Sequence, residues 1–215
     1  LHWPNSGVPF EDTWAAMQEL VDEGKVRAGG VSNFGPNDLD ALLEYGHPEV
    51  DQVAYSLLFR AVEYEIAPKC EDVGISILTY SSIMQGLLAD KYASPDEVPG
   101  GRARTRHFSG DRPQARHGEA GAEELTFDTI AAIREIAEEV GEPMHRLAIA
   151  WLIEQPAVGS VLVGIRSPEQ ARDNAAAANL RLSDDVIDEL SEVTQPLKEK
   201  LGANADMWQG DSRIS

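Results

Sequence analysis

The sequence predicts a parallel α/β fold of the (β/α)8 barrel class, and three observations support this prediction. Four strand-like apolar runs alternate with segments of helical periodicity. The connections between them are long enough for the right-handed crossovers that join parallel strands. A doubly wound nucleotide-binding sheet usually carries Gly-x-Gly-x-x-Gly after an early strand, and neither that turn nor a Walker-type phosphate loop occurs. A barrel is therefore favoured over an open sheet.

Each predicted strand lies between helical segments. The predicted strands are residues 26–31, 50–55, 75–80 and 158–163. Helices are predicted over residues 10–23, 61–73 and 126–140, and further helices open near Pro36, Pro143, Pro168 and Ser183. Beyond residue 198 we expect a tail that runs over the surface. This order gives repeated β-to-α units.

Residues 89–125 interrupt the alternation. The segment is rich in Gly, Pro, Asp and Arg, and it shows little periodicity. Its arginines predict local positive charge in an acidic protein, and either a lid over a site or a solvated excursion fits equally well. His107 and His117 lie in this segment without the spacing of metal ligands, so no metal site is predicted.

Composition limits the classes of partner. The 215 residues carry 37 acidic and 18 basic side chains, a net charge of −19, which argues against binding nucleic acid. No apolar run approaches the roughly 20 residues that span a bilayer. Cys70 is the single cysteine and lies on the apolar side of a helical pattern, so it is predicted to be a core residue. These features predict a soluble protein of a reducing compartment, the cytoplasm.

Polar side chains follow the predicted strands at their carboxyl ends. Tyr80, Ser81 and Ser82 close one strand, and Ser32 with Asn33 closes another. Parallel strands direct their carboxyl ends to one face of the fold, where ligands bind. The sequence therefore predicts a site at this face.

The last strand leads into a second candidate site. A glycine turn at Gly164, Arg166 and a helix capped by Ser167 and Gln170 together fit a phosphate site, although a well-capped helix with an incidental arginine fits equally well. His145, near the start of an earlier helix, is assigned to capping or the surface.

Several ordered motifs now identify a resemblance. They are His2-Trp3-Pro4, Gly30-Val31-Ser32-Asn33-Phe34, Gln52, Tyr80-Ser81, Gln85-Gly86-Leu87-Leu88, and Gly164-Ile165-Arg166-Ser167-Pro168-Glu169-Gln170 with Asn174. In this order they resemble the aldo-keto reductases, and more closely the bacterial and archaeal general reductases. The resemblance implies a barrel that binds NADPH without a Rossmann motif and reduces aldehydes or ketones to alcohols.

The resemblance also implies roles for individual residues. Ser32, Asn33 and Gln52 would hold the nicotinamide carboxamide, and Tyr80 would stack on its ring. The pyrophosphate would follow Ser81, Gln85 and Gly86. The adenosine end would reach Gly164, Arg166, Ser167, Gln170 and Asn174. His2 would orient the carbonyl of a small-molecule substrate, and Trp3 would line its pocket.

Two departures from the family pattern bear on the cofactor. The better-known members that this chain resembles carry a lysine near the position of Gly164 and an arginine at that of Gln170. Arg166 is then the candidate for the 2′-phosphate, because a guanidinium can grip phosphate with two parallel bonds. NADPH is the expected cofactor, and NADH is the alternative.

The family's catalytic Asp, Tyr and Lys precede the region that this chain resembles. Residues 1–215 are therefore expected to form a single, N-terminally incomplete barrel domain with about strands 5–8, and the chain alone is expected to be inactive. One alternative is a non-catalytic nicotinamide-nucleotide-binding module resembling channel β subunits. Another is a truncated chain that misfolds and binds nothing.

Overall fold

Four parallel strands form one sheet in the computed structural model, which describes residues 1–4 and 7–215. The strands are β1 (Val31–Ser32), β2 (Val50–Ala54), β3 (Ser76–Tyr80) and β4 (Val158–Val161). They lie side by side in chain order, and every pairing is parallel. Ala54 pairs with Tyr80, so β2 and β3 end level with each other.

Seven α-helices occur in the described part of the chain. They are α1 (Phe10–Asp22), α2 (Pro36–Leu43), α3 (Ile66–Val73), α4 (Glu123–Val140), α5 (Met144–Ile153), α6 (Pro168–Ala176) and α7 (Asp184–Leu201). Short 3-10 turns cover Ala61–Glu63, Met84–Ala89, Pro95–Glu97 and Ala177–Asn179. None of the helices in residues 1–4 and 7–215 is both long and apolar enough to cross a membrane.

The strand predicted at residues 26–31 is wrong over most of its length. Val26 is 36% exposed, and its amide bonds to the Leu20 carbonyl, so the chain here turns back on the end of α1. Gly30 then passes so close to β2 that an added Cβ would lie 2.5 Å from Cγ2 of Val50. Regular pairing begins only at Val31. The other three predicted strands are present, each slightly shorter than predicted.

Residues 89–125 pack on the core and are not a solvated excursion. Phe108 and His107 are buried, and His107 Nε2 lies 2.7 Å from the Leu58 carbonyl oxygen. Burial lowers the pKa of His107 to about 4. Arg106 donates to the Leu201 carbonyl at the end of α7 and pairs with Glu119 at 3.0 Å. Part of the predicted positive charge is therefore neutralised, because Arg106 pairs with Glu119 and Arg112 pairs with Glu123 at 2.7 Å.

The end of the chain also packs tightly, contrary to the tail predicted beyond residue 198. Helix α7 continues to Leu201, and Met207 is fully buried. Arg213 forms a bidentate ion pair with the buried carboxylate of Asp206, at 2.6 and 3.0 Å. Its guanidinium also lies 3.9 Å from the centre of the Trp3 ring. The last residues thus cover the face on which the candidate site lies.

The core supports the prediction for Cys70, which is fully buried. Burial raises the pKa of its thiol to about 12, so the thiolate form is suppressed. Trp151 of α5 is fully buried beside Tyr55, with ring centres 5.7 Å apart.

Candidate functional site

Five residues that the sequence predicted for the site lie in one hydrogen-bonded group at the carboxyl ends of the strands. Tyr80 donates its hydroxyl hydrogen to Asn33 Oδ1 at 2.8 Å. Asn33 Nδ2 donates to the His2 carbonyl at 3.1 Å and to Ser32 Oγ at 3.0 Å. Ser32 Oγ in turn donates to the Gln52 carbonyl at 2.7 Å. The short strand β1 and the level ends of β2 and β3 therefore converge, as expected for parallel strands.

The turn after β1 holds Asn33 in a left-handed conformation, with φ of 60°. Asparagine tolerates this region better than most residues. The Asn33 amide bonds to the Gln52 carbonyl at 3.0 Å, which fixes the turn against β2. The carboxamide of Asn33 is thereby directed at the ring of Tyr80.

Tyr80 is a neutral, anchored phenol. Burial raises its pKa to about 12, although a hydrogen bond from Trp208 acts in the opposite direction. Its hydroxyl is engaged with Asn33. These properties suit a ring that a ligand stacks on and do not suit a proton donor, which needs a pKa near neutrality.

Sequence reasoning missed Asp51, which lies behind this group. Its side chain is fully buried in β2, between Val50 and Gln52. Its Oδ1 accepts a long hydrogen bond of 3.5 Å from the Phe34 amide, and its Oδ2 has no partner among the described residues. Burial raises its pKa to about 7. The sequence did contain a sign of this residue, because an ionisable side chain inside an otherwise apolar strand is unusual.

His2 and Trp3 lie beside the group but contribute little to it through their side chains. His2 takes part through its carbonyl, and its side chain is exposed. The two rings are 6.4 Å apart and tilted. Trp3 is half-buried beneath Arg213.

A cavity of about 610 Å³ begins at Ser81, the residue after Tyr80, and lies between the turn after β3 and the turn after β4. It brings together most of the remaining predicted residues: Ser81, Gln85, Gly86, Gly164, Arg166, Gln170 and Asn174. Ser167 does not line it. Instead, Ser167 Oγ caps α6 by accepting from the Gln170 amide at 3.2 Å. Gln170 Oε1 accepts from the Arg166 amide at 2.9 Å, so the cap also fixes the loop that carries Arg166.

The floor of the cavity has an unusual backbone and an unpaired donor. Ser81, Met84, Gln85 and Gly86 all have positive φ, and Gly86 reaches 98°. Glycine suits this position because other residues rarely adopt such a φ, whereas an added Cβ would make only an ordinary contact, 3.4 Å from the Arg102 side chain. Gln85 Nε2 is buried and has no partner among the described residues. Because buried donors are normally paired, this unpaired amide in a residue that lines the cavity is a candidate partner for a polar ligand.

The cavity wall includes residues that sequence reasoning did not assign to a site. Lys91 and Arg102 line it from the segment after β3, and Arg102 donates to the Tyr92 hydroxyl at 2.6 Å. His145 also lines it, as a partly buried residue at the surface, and the side-chain cap that the sequence allowed is not formed at the start of α5. The packing of α5 against α6 turns the His145 ring to Asp173 at 2.6 Å. The sequence does not reveal this contact, because His145 and Asp173 are 28 residues apart along the chain.

Charge on the wall favours an anionic ligand. Lys91, Arg102 and Arg166 are basic, and Asp173 is the acidic residue among those lining the cavity. The chain as a whole has a net charge of −19. A basic cavity in an acidic protein suits phosphate groups, which the surrounding surface would repel. Within the described residues, no group of three metal-ligating side chains is present.

Comparison with known proteins places this geometry in a family. The profile of the Aldo/keto reductase family matches residues 1–195. The NADH-specific methylglyoxal reductase of Escherichia coli (strain K12) is 33% identical over 201 residues, which are 92% of this chain and 58% of that protein. A putative voltage-gated potassium channel subunit beta of Schizosaccharomyces pombe is 26% identical over 205 residues, 89% of this chain and 57% of that protein.

Solved structures agree on the fold. Glycerol dehydrogenase from Gluconobacter oxydans superposes with a TM-score of 0.76 at 25% identity, over 91% of this chain and 57% of that one. The chain thus spans less than two thirds of the length of these relatives. The match over residues 1–195 shows that the chain belongs to the aldo/keto reductase family.

Proposed function

We propose that this chain is the cofactor-binding part of an aldo-keto reductase that uses NADPH to reduce aldehydes or ketones to alcohols. The observation that carries the proposal is the basic cavity that begins at Ser81, the residue after Tyr80, and whose lining includes Gln85 with its unpaired donor. NADPH supplies the hydride for such a reduction. The residues of this chain bind and orient it.

Each end of the cofactor has a set of residues that fits it. Ser32, Asn33 and Gln52 hold the carboxamide, and Tyr80 supports the ring. Asn33 Oδ1 already accepts from Tyr80, so the carboxamide replaces that hydrogen bond when it binds. Along the cavity, the pyrophosphate meets the five residues Ser81, Gln85, Gly86, Lys91 and Arg102.

The adenosine end fits the turn after β4. Gly164, Gln170 and Asn174 line this end, and Ser167 supports it by capping α6. Arg166 binds the 2′-phosphate, because its side chain has no hydrogen bond or ion pair within residues 1–4 and 7–215. NADH is the alternative cofactor, since the E. coli relative is named as NADH-specific.

On the substrate side, His2 orients the carbonyl of a small molecule and Trp3 lines its pocket. Neither of the two tyrosines near the strand ends, Tyr80 and Tyr55, is suited to proton delivery among the described residues. Tyr80 is bonded to Asn33, and Tyr55 donates to Glu63 at 2.8 Å with a pKa raised by burial. Neither phenol has the lysine that would lower its pKa. The chain alone is therefore proposed to bind cofactor without reducing carbonyls.

The four-stranded sheet is proposed to be an arc of a (β/α)8 barrel, about strands 5–8, within one domain over residues 1–215. Its strands are parallel and lie in chain order, as barrel strands do. The relatives are longer than the chain, which supports this proposal. We also propose a cytoplasmic location, because the single cysteine is buried and needs no oxidising compartment.

A titration of the purified chain tests the proposal. We expect NADPH to change the intrinsic fluorescence with saturation and to bind more tightly than NADH, a preference that Arg166→Ala removes. Tyr80→Phe should retain or improve binding, because it frees Asn33 and keeps the stacking ring. Tyr80→Ala should weaken binding about tenfold through the lost stacking. A flat titration with a folded chain would contradict the proposal.

The second candidate is a non-catalytic nicotinamide-nucleotide-binding module. The name of the S. pombe relative favours it, and so do the raised pKa values of Tyr80 and Tyr55, which make both phenols poor proton donors. Both candidates predict binding without turnover by this chain. A longer natural form that carries the family's Asp, Tyr and Lys and reduces methylglyoxal would exclude the module.

A further inference from the structure

Arg104 is a half-buried arginine that has no role in the cofactor scheme above. Its guanidinium lies 4.8 Å from the centre of the Trp208 ring. Its Nε is buried without a partner, and within residues 1–4 and 7–215 its side chain forms no hydrogen bond or ion pair. The other arginines that are buried or half-buried all donate hydrogen bonds: Arg60, Arg102, Arg106, Arg112, Arg134 and Arg146. Arg104 is the exception among them.

A shortage of acidic side chains does not explain this exception, because the chain has 37 of them. A guanidinium is charged near neutral pH, and a charge withdrawn from water is costly unless it is paired. Stacking on Trp208 compensates only in part, since it leaves the N–H groups of Arg104 without acceptors. Nη1 and Nη2 are not among the buried unpaired atoms, so a ligand can reach them. Two adjacent N–H groups of this kind match an oxyacid group, which accepts two parallel hydrogen bonds.

Trp208 links Arg104 to the proposed nicotinamide site. The Trp208 ring donates a hydrogen bond to Tyr80, so one indole ring separates the guanidinium from the strand end on which the nicotinamide would stack. The Trp208 amide bonds to Asp206 Oδ1 at 3.1 Å, which helps to fix the ring. Arg213 also lies near Tyr80, but the carboxylate of Asp206 binds it at 2.6 and 3.0 Å. Of these two arginines, Arg104 is therefore the one whose charge is not neutralised.

The phosphates of the cofactor are not the expected partner of Arg104. Arg102 and Lys91 line the cofactor cavity, whereas Arg104 is not among the lining residues. Arg102 donates to Tyr92 and Arg104 stacks on Trp208, so the two guanidinium groups reach different parts of the molecule. The cofactor thus has basic partners of its own. Arg104 is left for the other ligand of the proposed reaction, the carbonyl compound.

We propose that Arg104 and Trp208 form an anion-binding subsite beside Tyr80, which selects aldehydes and ketones that carry a carboxylate or phosphate group. The inference rests on the proposed function, because that function brings the substrate carbonyl to the nicotinamide over Tyr80. The guanidinium grips the acidic group, and the Trp208 ring packs against the carbon atoms between that group and the carbonyl. A spacer about as long as one aromatic ring fits, since one indole ring separates Arg104 from Tyr80.

The test compares two aldehydes that differ only in whether their acidic group is ionised or esterified. The purified chain is saturated with NADPH and titrated by calorimetry with para-formylbenzoate and with its methyl ester. We expect the acid to bind about tenfold more tightly, because its hydrogen bonds to the guanidinium are charge-assisted. A third titration, with para-formylphenyl phosphate, shows whether carboxylate or phosphate is preferred. A preference for either acid over the ester supports the inference if it depends on Arg104.

Three variants test that dependence. Arg104→Met removes the charge and keeps a long side chain on Trp208, so the ratio of the dissociation constants of ester and acid should fall to about one. Arg104→Lys restores the charge without the planar fork and should restore the preference in part, to about threefold. Arg112→Met is the matched control, because the Arg112 guanidinium also lies over a ring, that of Phe108, but is paired with Glu123. It should leave the ratio unchanged. Circular dichroism establishes that each variant is folded, and Arg104→Gln replaces Arg104→Met if the latter is not.

Three outcomes overturn the inference while leaving the proposed function intact, provided that the chain binds NADPH. The first is that the wild-type chain binds the acids no more tightly than the ester. The second is a preference for the acids that survives in Arg104→Met. The third is that the chain loaded with NADPH binds none of the aldehydes. Failure of a folded chain to bind NADPH contradicts the proposed function itself, and the inference falls with it.

Discussion

Asp51 is a carboxyl group with no exposed surface, and it stands next to Gln52 in β2. Its one hydrogen bond, from the Phe34 amide, is long, and the Leu1 ammonium is a weak compensating charge. Asp38 opposes its ionisation. Ionised Asp51 is therefore costly to the fold, and it lies beneath the turn that presents Asn33.

This cost predicts a pH dependence of stability. Burial raises the pKa of Asp51 from 3.8 to about 7, so between these values the folded chain retains a proton that the unfolded chain has lost. Stability must then fall as the pH rises through this window, by up to about 4 kcal/mol. Asp51→Asn mimics the protonated acid. Urea unfolding should show it to be more stable than wild type at about pH 8, with the difference vanishing near pH 4.

A surface carboxylate provides the control for this prediction. Asp188 is exposed on α7, and Asp188→Asn should change the free energy of unfolding by a similar small amount at each pH. If Asp51→Asn follows wild type across the whole range, Asp51 is not the buried carboxyl described above.

At the scale of elements, an ionic network joins the 3-10 turn Ala61–Glu63 to α7. Arg60 pairs with Glu63 at 2.7 Å and donates to the Ser191 carbonyl of α7 at 2.6 Å. Lys198 of α7 reaches Glu63 at 2.8 Å, and Tyr55 donates to the same carboxylate. Although burial acts to raise the pKa of Glu63, these hydrogen bonds outweigh it and lower the pKa.

Removing the negative charge should loosen α7. Glu63→Gln leaves two cations without their partner, and because Arg60 is buried the expected loss is about 3 kcal/mol in the free energy of unfolding. A lowered pKa means that this stabilisation is present above the ordinary pKa of glutamate and is lost as the pH falls through the folded value. Urea unfolding at pH 7 measures the loss. Glu65→Gln, on an exposed neighbour, should have little effect, and an equal effect of the two would argue against the network.

The elements differ in how far the sequence determines them. The strand ending at Tyr80 was predictable, because its apolar run begins directly after a glycine and is followed by polar residues. The strand at 26–31 failed because pairing depends on the distance to Val50, which no local pattern records. The solvated alternative for residues 89–125 is wrong for a related reason, since His107 and Arg106 satisfy their hydrogen bonds with carbonyls far along the chain.

At the scale of the whole molecule, the residues of the candidate site also differ in how far the sequence predicts their positions. Asn33 follows β1, Gln52 lies in β2 and Tyr80 ends β3, and parallel strands bring these positions together without further information. His145 and Asp51 depend on packing between elements, so periodicity gave no sign of their surroundings. The binding roles of the residues that line the cavity stay predictions until a ligand is titrated.

The charge distribution of the molecule makes salt act in opposite directions on folding and on binding. With 37 acidic and 18 basic residues, the folded chain repels itself, and screening relieves that repulsion. Raising NaCl from about 0.05 M to about 1 M should stabilise the free chain by about 1 kcal/mol, or roughly 2–4 °C in Tm. The same change should weaken NADPH binding by about tenfold or more, because Lys91, Arg102 and Arg166 are screened from its phosphates.

Thermal melts and fluorescence titrations in NaCl and KCl measure both effects, and the two salts should agree if screening is the cause. A Tm that falls with salt would mean that ion pairs such as Arg60–Glu63 outweigh the general repulsion, and salt-independent binding would remove the basic wall from the recognition of the cofactor.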